Sequence, residues 1–264
     1  MYAFTYKKAS SIVDAADKLL ADGEAKLLAG GMTLIPTLKQ RLAQPTELID
    51  LNGIAELTGV TVSGKIVTIG AMTRHVDVAR NPDVNKLIPA LAKLASHIGD
   101  PAVRNRGTIG GSISNNDPSA DYPSAVLALD ATVRTNRREI KADDFFVGMF
   151  ETALEPGELV VAVSFPVPEK AGYKKFPNPA SRYAVVGVFV AKTNRGVRVA
   201  VTGAGPVVFR QMEMEAALFG NWSPEAVANI KQAEDGLNSD MHASAEYRAH
   251  LVMVMAKRAV AEAG

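Results

Sequence analysis

The polar stretch RNRGTIGGSISNNDPSADYP, Arg104–Pro123, constrains the fold more than any other segment of the chain. It holds glycine, serine, asparagine, aspartate and proline at the density of a loop, yet strongly apolar segments flank it. Long loops inside compact chains are usually functional. Its GTIGGS portion, 107–112, supplies three glycines and two hydroxyls, and its consecutive N–H groups predict an anion-binding nest. Turn or helix-cap roles for Asp117, Ser119 and Asp121 do not by themselves explain so long a polar segment.

A second glycine pair lies far upstream in LLAGGMTLIP, Leu27–Pro36. Here a predicted strand ends, Gly30 and Gly31 turn the chain, and a helix begins, which is a favourable arrangement for binding phosphate. On this motif alone a plain strand-to-helix turn is the better interpretation, and the third glycine of the dinucleotide fingerprint is missing. Two glycine turns, each beside a predicted helix, together favour a ligand with two phosphates, such as a dinucleotide.

The remaining pattern alternates short strands with helices. Period-2 and period-3.6 hydrophobicity predicts the following elements. They are a helix from Ser11 to Gly23, strands at AKLLA, TELIDL, ELVVAVSF and YAVVGVFVA, hairpins at 58–71, 132–142 and 182–205, and helices at about 33–43, 85–99, 119–131, 210–219, 223–235 and 244–262. The proline-rich stretch 166–181 shows no period, and we place a domain boundary there, near residue 170.

Composition excludes several classes of function. The 264 residues include no cysteine, which excludes disulfides, thiolate nucleophiles and cysteine-bound iron–sulfur clusters in this chain. The net charge of +1 argues against binding to nucleic acid. The most apolar run, Tyr183–Ala191, is far shorter than the roughly 20 residues of a membrane helix, and the N-terminus lacks the apolar core of a signal peptide.

AGGMTLIP, taken together with VRNRGTIGGSISNNDPSAD, resembles the paired flavin motifs of a known family. This family comprises the FAD-binding medium subunits of molybdenum hydroxylases such as carbon monoxide dehydrogenase and xanthine dehydrogenase. ELVVAVSFP, KFPNPASRYAVVGV and YRAHLVMVMAKRAV also match, so the resemblance covers nearly the whole chain. It implies an α+β fold of the p-cresol methylhydroxylase type. Two FAD-binding subdomains, 1–56 and 57–170, would be followed by a C-terminal antiparallel-sheet-and-helix domain, 171–264.

The resemblance also implies which residues contact FAD. Ala29–Thr33 and Thr108–Ser112 would hold the pyrophosphate, Asp121 would hydrogen-bond ribityl or ribose hydroxyls, and Lys175 and Tyr183 would lie near the flavin ring. The complete implied set is Ala29, Gly30, Gly31, Met32, Thr33, Leu34, Val103, Gly107, Thr108, Ile109, Gly110, Gly111, Ser112, Asn115, Asp117, Asp121, Val160, Lys175 and Tyr183.

The chain departs from the family pattern after the first glycine pair. Many relatives have histidine and serine there, whereas this chain has Met32 and Thr33, so a hydrogen bond from that histidine is lost. Because the first turn has no histidine and the chain no cysteine, we expect non-covalent FAD. The four histidines show no metal-ligand spacing, and surface or hydrogen-bonded positions are the better interpretation for them. Arg104 and Arg106 could face phosphate or a partner subunit, or they could be ordinary surface charges. Trp222 could be a hydrophobic staple or an interface anchor.

The function implied by the resemblance is electron transfer. A large subunit would carry molybdopterin, a small subunit two [2Fe–2S] clusters, and electrons would pass through FAD in this chain to an external acceptor. We expect no acid–base catalytic residue in this chain. We expect a dimer of heterotrimers that binds no nucleic acid and has no membrane span. We expect a cytoplasmic location, and association of the complex with the inner face of the membrane is left open. Two alternatives stay open, namely a self-contained flavin oxidase or reductase and a non-enzymatic nucleotide-binding module.

Overall fold

The structure, a computed structural model, describes residues 1–264 as a mixed α/β molecule with four sheets. The strands are β1 Thr5–Lys8, β2 Lys26–Leu28, β3 Glu47–Asp50, β4 Val60–Ser63, β5 Ile66–Gly70, β6 Thr132–Thr135, β7 Glu139–Lys141, β8 Phe146–Gly148, β9 Glu151–Thr152, β10 Val160–Pro166, β11 Lys170–Pro177, β12 Ala184–Thr193, β13 Gly196–Thr202 and β14 Phe209–Arg210. The α-helices are α1 Ile12–Ala21, α2 Leu34–Lys39, α3 His75–Arg80, α4 Pro82–Leu87, α5 Pro89–Ser96, α6 Pro101–Arg104, α7 Ile109–Asn115, α8 Tyr122–Ala128, α9 Ala142–Phe145, α10 Met212–Gly220 and α11 Ala245–Ala263.

The first sheet is parallel and has the order β1-β3-β2. Ser11 caps α1 by accepting a hydrogen bond from the N–H of Asp14, which places the helix start where the sequence predicts it. Because β2 and β3 run in the same direction, Ala29 and Asn52 emerge at the same edge of the sheet. Strand β1 pairs with β3 and was missed, because its four residues are all exposed and show no alternation.

The second sheet is antiparallel and has the order β4-β5-β10-β6-β7. The hairpin predicted at 58–71 turns at Gly64, whose φ of 57° suits the left-handed region. The hairpin predicted at 132–142 is also confirmed. Helices α3, α4, α5, α7 and α8 and this sheet share one core of 32 buried residues.

The third sheet, β11-β12-β13-β14, is antiparallel and packs against α11. The hairpin predicted at 182–205 is confirmed, but the stretch 166–181, predicted to be irregular, contains the eight-residue strand β11. Prolines at both ends hid the alternation of this strand. The helix predicted at 223–235 is wrong, since only a 3₁₀ turn at Pro224–Val227 forms. Most side chains after that turn are exposed, so no continuous apolar face is available for burial.

The polar stretch Arg104–Pro123 is not a continuous loop. Its middle forms α7, capped by Thr108, whose side chain accepts a hydrogen bond from the N–H of Gly111. Ile109 and Ile113 lie four residues apart and are fully buried, which gives the helix an apolar anchor. Asn116 ends the helix with a left-handed φ of 42°.

Two other predicted helices are shorter than expected. The segment 85–99 is broken before Pro89, so that α4 and α5 replace one helix. Helix α2 ends at Lys39 because Arg41 adopts a φ of 62°, which leaves Leu42 exposed rather than on the buried face. None of the helices is both long enough and apolar enough to cross a membrane.

Candidate cofactor site

The two glycine turns, 76 residues apart in sequence between Gly31 and Gly107, meet in space. A Cβ atom on Gly30 would lie 2.1 Å from the backbone oxygen of Arg106 and 2.8 Å from the Cα of Gly107. A Cβ atom on Gly111 would lie 3.6 Å from the Cβ of Ala29. Backbone therefore packs directly on backbone, which only glycine permits at Gly30.

The first turn presents a row of free donors. The N–H groups of Gly30, Gly31, Met32, Thr33 and Leu34 form no hydrogen bond within the protein. Gly31 has a φ of 73°, and these residues are exposed or half-buried, so the donors are accessible. Thr33 and Leu34 are the N-cap and the first residue of α2, where N–H groups have no partner within the helix, and such donors suit an anionic ligand. The contact of this turn with the pyrophosphate stays a prediction.

An amide side chain fixes the start of this turn. Asn52 donates from Nδ2 to the backbone oxygen of Ala29 at 3.1 Å and to Oδ1 of Asp50 at 2.7 Å. The hydroxyl of Tyr6 donates to the other oxygen of Asp50 at 2.5 Å. Asn52 was not predicted as a site residue. Its position two residues after β3, a strand parallel to β2, was the available signal, because residues that follow parallel strands gather at one sheet edge.

The second turn differs from the prediction, since its N–H groups do not form a free nest. The N–H of Ile109 donates to Thr73, that of Gly110 to Ala71, and those of Gly111 and Ser112 to Thr108. Thr108 is the one residue of 108–112 whose N–H has no acceptor in the protein. A Cβ on Gly110 would lie 2.5 Å from the Cβ of Ala71, so the glycine is needed for packing. The second turn thus supports the first and offers few donors itself.

Asp121 and Lys175 form a buried ion pair with side chains 3% and 6% exposed. The Nζ of Lys175 lies 2.9 Å from Oδ1 of Asp121, and it also donates to the backbone oxygens of His97 at 2.9 Å and Arg182 at 2.8 Å. Tyr173 donates its hydroxyl to Asp121 as well. Burial raises the pKa of Asp121, and the ammonium of Lys175 opposes this rise. All three donors of Lys175 are engaged, so it joins the second sheet's helices to the third sheet.

Tyr183 stands at the entrance of β12 with 41% of its surface exposed, beside Thr33 of the first turn. Burial raises its pKa, and the carboxylate of Asp117 adds to the rise. Burial likewise raises the pKa of Asp117, which accepts a hydrogen bond from the N–H of Ser119 at 2.9 Å in the predicted turn. A cavity of about 220 Å³ opens here between 117–119 and 178–185.

The other residues implied by the resemblance occupy three environments. Met32 and Thr33 are exposed at the first turn, while Ser112 and Asn115 are half-buried along α7. Ile109 and Val160 belong to the large core, with exposures of 0% and 5%, so neither projects a side chain into open space. Val103 and Leu34 are half-buried, and Val103 packs against Gly99. The expected contacts of these residues with FAD stay predictions.

Several charged and aromatic residues have structural partners instead. Arg104 donates to the backbone oxygens of Ile98 and Gly99, which favours a local structural role, and Arg106 is exposed. Trp222 packs against the core of the third sheet, and its Nε1 is buried without a partner. No group of three or more metal-ligating side chains is assembled. The expectation that every histidine is exposed or hydrogen-bonded is wrong for His75, which is 4% exposed and has an unpartnered Nδ1.

Comparison with known proteins gives matches over the whole chain. Residues 2–168 match the family described as FAD binding domain in molybdopterin dehydrogenase, and residues 171–263 match the CO dehydrogenase flavoprotein C-terminal domain. The nicotine 6-hydroxylase medium subunit of Paenarthrobacter nicotinovorans is 37% identical, with 99% of this chain and 98% of that protein covered. The carbon monoxide dehydrogenase medium chain of Hydrogenophaga pseudoflava is 35% identical, with coverage of 97% and 96%.

A solved structure shows the same fold. Carbon monoxide dehydrogenase from Hydrogenophaga pseudoflava, in a form lacking the Mo-pyranopterin moiety, superposes with a TM-score of 0.89 at 36% identity, covering 99% of this chain and 97% of that chain. Together with the family matches, this likeness confirms the predicted α+β architecture and FAD as the cofactor of the domain. The chain therefore belongs to the FAD-binding medium subunits of the molybdenum hydroxylases, the family of carbon monoxide and xanthine dehydrogenases.

Proposed function

We propose that this chain is the electron-transfer subunit of a molybdenum-containing hydroxylase. Electrons would enter from [2Fe–2S] clusters in a partner subunit, pass through non-covalent FAD held by this chain, and leave to an external acceptor. The observation that carries the proposal is the contact between the two glycine turns, with five free N–H groups at Gly30–Leu34 on the first of them. A diphosphate satisfies those donors, and in this family the diphosphate is that of FAD.

The residues fit FAD bound without a covalent link. The chain has no cysteine, and the first turn has no histidine that could be attached to the flavin. Met32, which stands where many relatives have histidine, is 36% exposed and offers an apolar surface rather than a donor. We therefore expect the cofactor to dissociate on denaturation and to be retained by hydrogen bonds and packing alone.

Different residues of the chain would hold different parts of the cofactor. The backbone N–H groups of Gly30–Leu34 would donate hydrogen bonds to the diphosphate, and the free N–H of Thr108 would donate another from the second glycine turn. Asp121 and Lys175 fix the third sheet against α8, so that Tyr183 stays at the cavity where the flavin ring is expected. FAD supplies the redox chemistry, while the protein sets its position, exposure and potential.

The expected subdomain limits follow gaps between the sheets. Strands of the first sheet end at Asp50, those of the second sheet span 60–166, and those of the third begin at Lys170. We accordingly assign residues 1–56 and 57–170 to the two FAD-binding subdomains and 171–264 to the C-terminal domain. With these limits, the contact of Gly30 with Arg106 and Gly107 joins the first two subdomains, and both of them would hold the cofactor.

We propose that the partner subunits carry the other cofactors of the complex. Without cysteine this chain cannot ligate an iron–sulfur cluster, which agrees with the division that the resemblance implies, with the clusters in a small subunit and molybdopterin in a large one. Relatives carry the names medium subunit, medium chain and complex subunit alpha, which supports a multi-subunit assembly. We propose a cytoplasmic dimer of heterotrimers.

Purification of the tagged chain from its native host tests the proposal. We expect the chain to bring down two further polypeptides, with FAD, molybdenum and iron in the eluate and a flavin absorption spectrum. The recombinant chain alone should bind FAD and contain neither metal. A flavin-loaded chain without partners or metals, active on its own organic substrate, would instead indicate a self-contained flavoenzyme. A colourless chain that ignores added FAD would refute the proposed function.

A further inference from the structure

The hairpin of β8 and β9 has an exposed apolar tip. Val147, Met149 and Phe150 have 54%, 52% and 58% of their surface exposed, and only Gly148 interrupts them. Phe150 also has a φ of 56°, a conformation that bulky residues rarely adopt and that strains the backbone. Folding alone does not account for a strained phenylalanine whose ring is mostly in solvent, so the tip is a candidate binding surface.

A buried side chain fixes this hairpin beside the cavity where the flavin ring is expected. Asn116 is 1% exposed and donates from Nδ2 to the backbone oxygens of Gly148 and Glu151, each at 2.8 Å. The N–H of Phe150 donates to the backbone oxygen of Asn116 at 3.1 Å. That oxygen belongs to the peptide group that joins Asn116 to Asp117, and Asp117 lines the cavity. Phe150 therefore lies at the rim of the cavity.

Other walls of the cavity also present apolar groups to solvent. Tyr183 lines the cavity and is 41% exposed. Met241 lies between the lining residues Asp240 and His242 and is 92% exposed. Apolar side chains thus border the cavity both at the hairpin and on the C-terminal domain, and we call Met149, Phe150, Tyr183 and Met241 the apolar rim.

The charged groups around the cavity do not suit an anionic ligand. Asp117 and Asp240 are carboxylates in its walls, and Glu151 belongs to the hairpin. The guanidinium of Arg248 is 3% exposed and donates to Asp240 and to two backbone oxygens. Arg182 is exposed, but its guanidinium donates to a backbone oxygen at 3.4 Å. A nicotinamide dinucleotide would bring its phosphates to these carboxylates, whereas an uncharged aromatic molecule would meet no such repulsion.

We propose that the apolar rim is the docking site for the external electron acceptor, and that this acceptor is an uncharged quinone. The inference rests on the proposed function, because it requires FAD with its ring in the cavity. Two electrons and two protons leave the reduced FAD, the two carbonyl groups of the quinone become the two hydroxyl groups of the quinol, and oxidised FAD remains. Apolar and aromatic side chains hold a flat ring of this kind by stacking and by burial of apolar surface.

Two substitutions at the hairpin test the apolar rim. Phe150→Gly deletes the ring and relieves the backbone strain, so its melting temperature should not fall below that of the wild type. Met149→Ser removes a second exposed apolar side chain from the same tip. Phe219→Ser on α10 is the matched control, because it removes a phenylalanine that is 75% exposed and does not line the cavity.

The kinetic measurement follows reoxidation of the flavin. Each full chain is loaded with FAD, reduced without oxygen by a stoichiometric amount of dithionite, and mixed with menadione, NAD⁺ or dioxygen while flavin absorbance is recorded. The second-order rate constant with menadione should fall about two- to tenfold in Phe150→Gly and in Met149→Ser, as for loss of one aromatic or sulfur contact. Phe219→Ser should react like the wild type. Dioxygen needs no docking surface, so its rate should be the same in all variants.

Binding is measured without turnover on the oxidised, FAD-loaded chain, by NMR of ¹³C-labelled methionine methyl groups. Titration with menadione should shift the methyl resonance of Met149. The resonance of Met212, which is 60% exposed on α10, should not shift. In Phe150→Gly the shift of Met149 should need a higher menadione concentration to saturate.

The outcomes separate this inference from the proposed function. If the wild-type chain does not bind FAD, the proposed function itself fails. If the chain binds FAD and NAD⁺ reoxidises the flavin while menadione does not, the inference about the acceptor is wrong. Equal menadione rates in the wild type and both hairpin variants, with no shift at Met149, would place the docking site elsewhere. Equal slowing of menadione and dioxygen would also overturn the inference, because it would indicate a disturbed flavin rather than a lost contact.

Discussion

The substitution Gly30→Ala adds a single methyl group at the closest contact between the two glycine turns. The new Cβ atom would lie 2.1 Å from the backbone oxygen of Arg106, whereas ordinary van der Waals contact begins at 3.4 Å. The turns would have to separate by about 1.3 Å. Gly30 has no positive φ, so alanine introduces no backbone strain and the effect is steric alone.

This separation has two expected consequences. Overpacking of a close contact costs about 1–3 kcal/mol of folding stability. Displacement of the first turn by about 1 Å also breaks at least one hydrogen bond from Gly30–Leu34 to a charged diphosphate, worth about 1.5–3 kcal/mol. The Kd for FAD should therefore rise about 10- to 100-fold. The increase in melting temperature that FAD produces should also be smaller in the variant than in the wild type.

The assay is a fluorescence titration of apoprotein with FAD, accompanied by thermal melts with and without the cofactor. Gly23→Ala is the matched control, because nothing lies within 4 Å of its added Cβ atom and its φ is not positive. That control should bind FAD normally and melt at or slightly above the wild-type temperature. Wild-type FAD affinity in Gly30→Ala, with the protein folded, would show that the crossing does not hold the cofactor.

Three further changes follow from the structure. Gly111→Trp, whose indole would collide with the turn at Ala29, should abolish FAD retention on a desalting column; normal retention would contradict the site. Lys175→Met leaves the buried Asp121 without its cation and should lower the free energy of unfolding by about 3–5 kcal/mol in urea. Since burial raises the pKa of Asp121, this loss should diminish as pH falls and the carboxyl protonates; a pH-independent loss would be inconsistent. The pKa of His75 is about 4 in the folded protein and about 6.5 in the unfolded chain, so at pH 5 the unfolded chain binds a proton that the folded protein does not. The free energy of unfolding of the wild type should therefore be about 2 kcal/mol lower at pH 5 than at pH 7. In His75→Leu, urea unfolding should not show this contribution to the pH dependence.

The contact between distant glycine turns was predictable because each turn had its own local signature. Strand, glycine pair and helix follow one another around Gly30, and glycine and hydroxyl residues cluster at 107–112. What the sequence could not reveal is which turn has free donors. The acceptors of Ile109 and Gly110 are backbone oxygens of Thr73 and Ala71, more than 30 residues upstream, and no pattern in the second motif indicates them.

Helix α7 was missed because polar residues outnumber apolar ones in it, although Ile109 and Ile113 are spaced by one helical turn. Strand β11 was missed because prolines flank an alternation that lysines interrupt. The position of Lys175 near the flavin, which the resemblance implies, stays a prediction. The hydrogen bonds of its ammonium to Asp121 and to two backbone oxygens from separate elements could not be predicted, because they depend on the packing of α8 against the third sheet.

Amide hydrogen exchange, measured residue by residue by NMR with and without FAD, tests the central claim most directly. In the apoprotein the N–H groups of Gly30–Leu34 have no acceptor and should exchange rapidly, while those of Ile109–Ser112 are bonded and protected. Saturation with FAD should slow exchange at Gly30–Leu34 well beyond the change elsewhere in the first sheet. Unchanged exchange at those five residues, in a protein that has bound FAD, would contradict the assignment of the diphosphate to this turn.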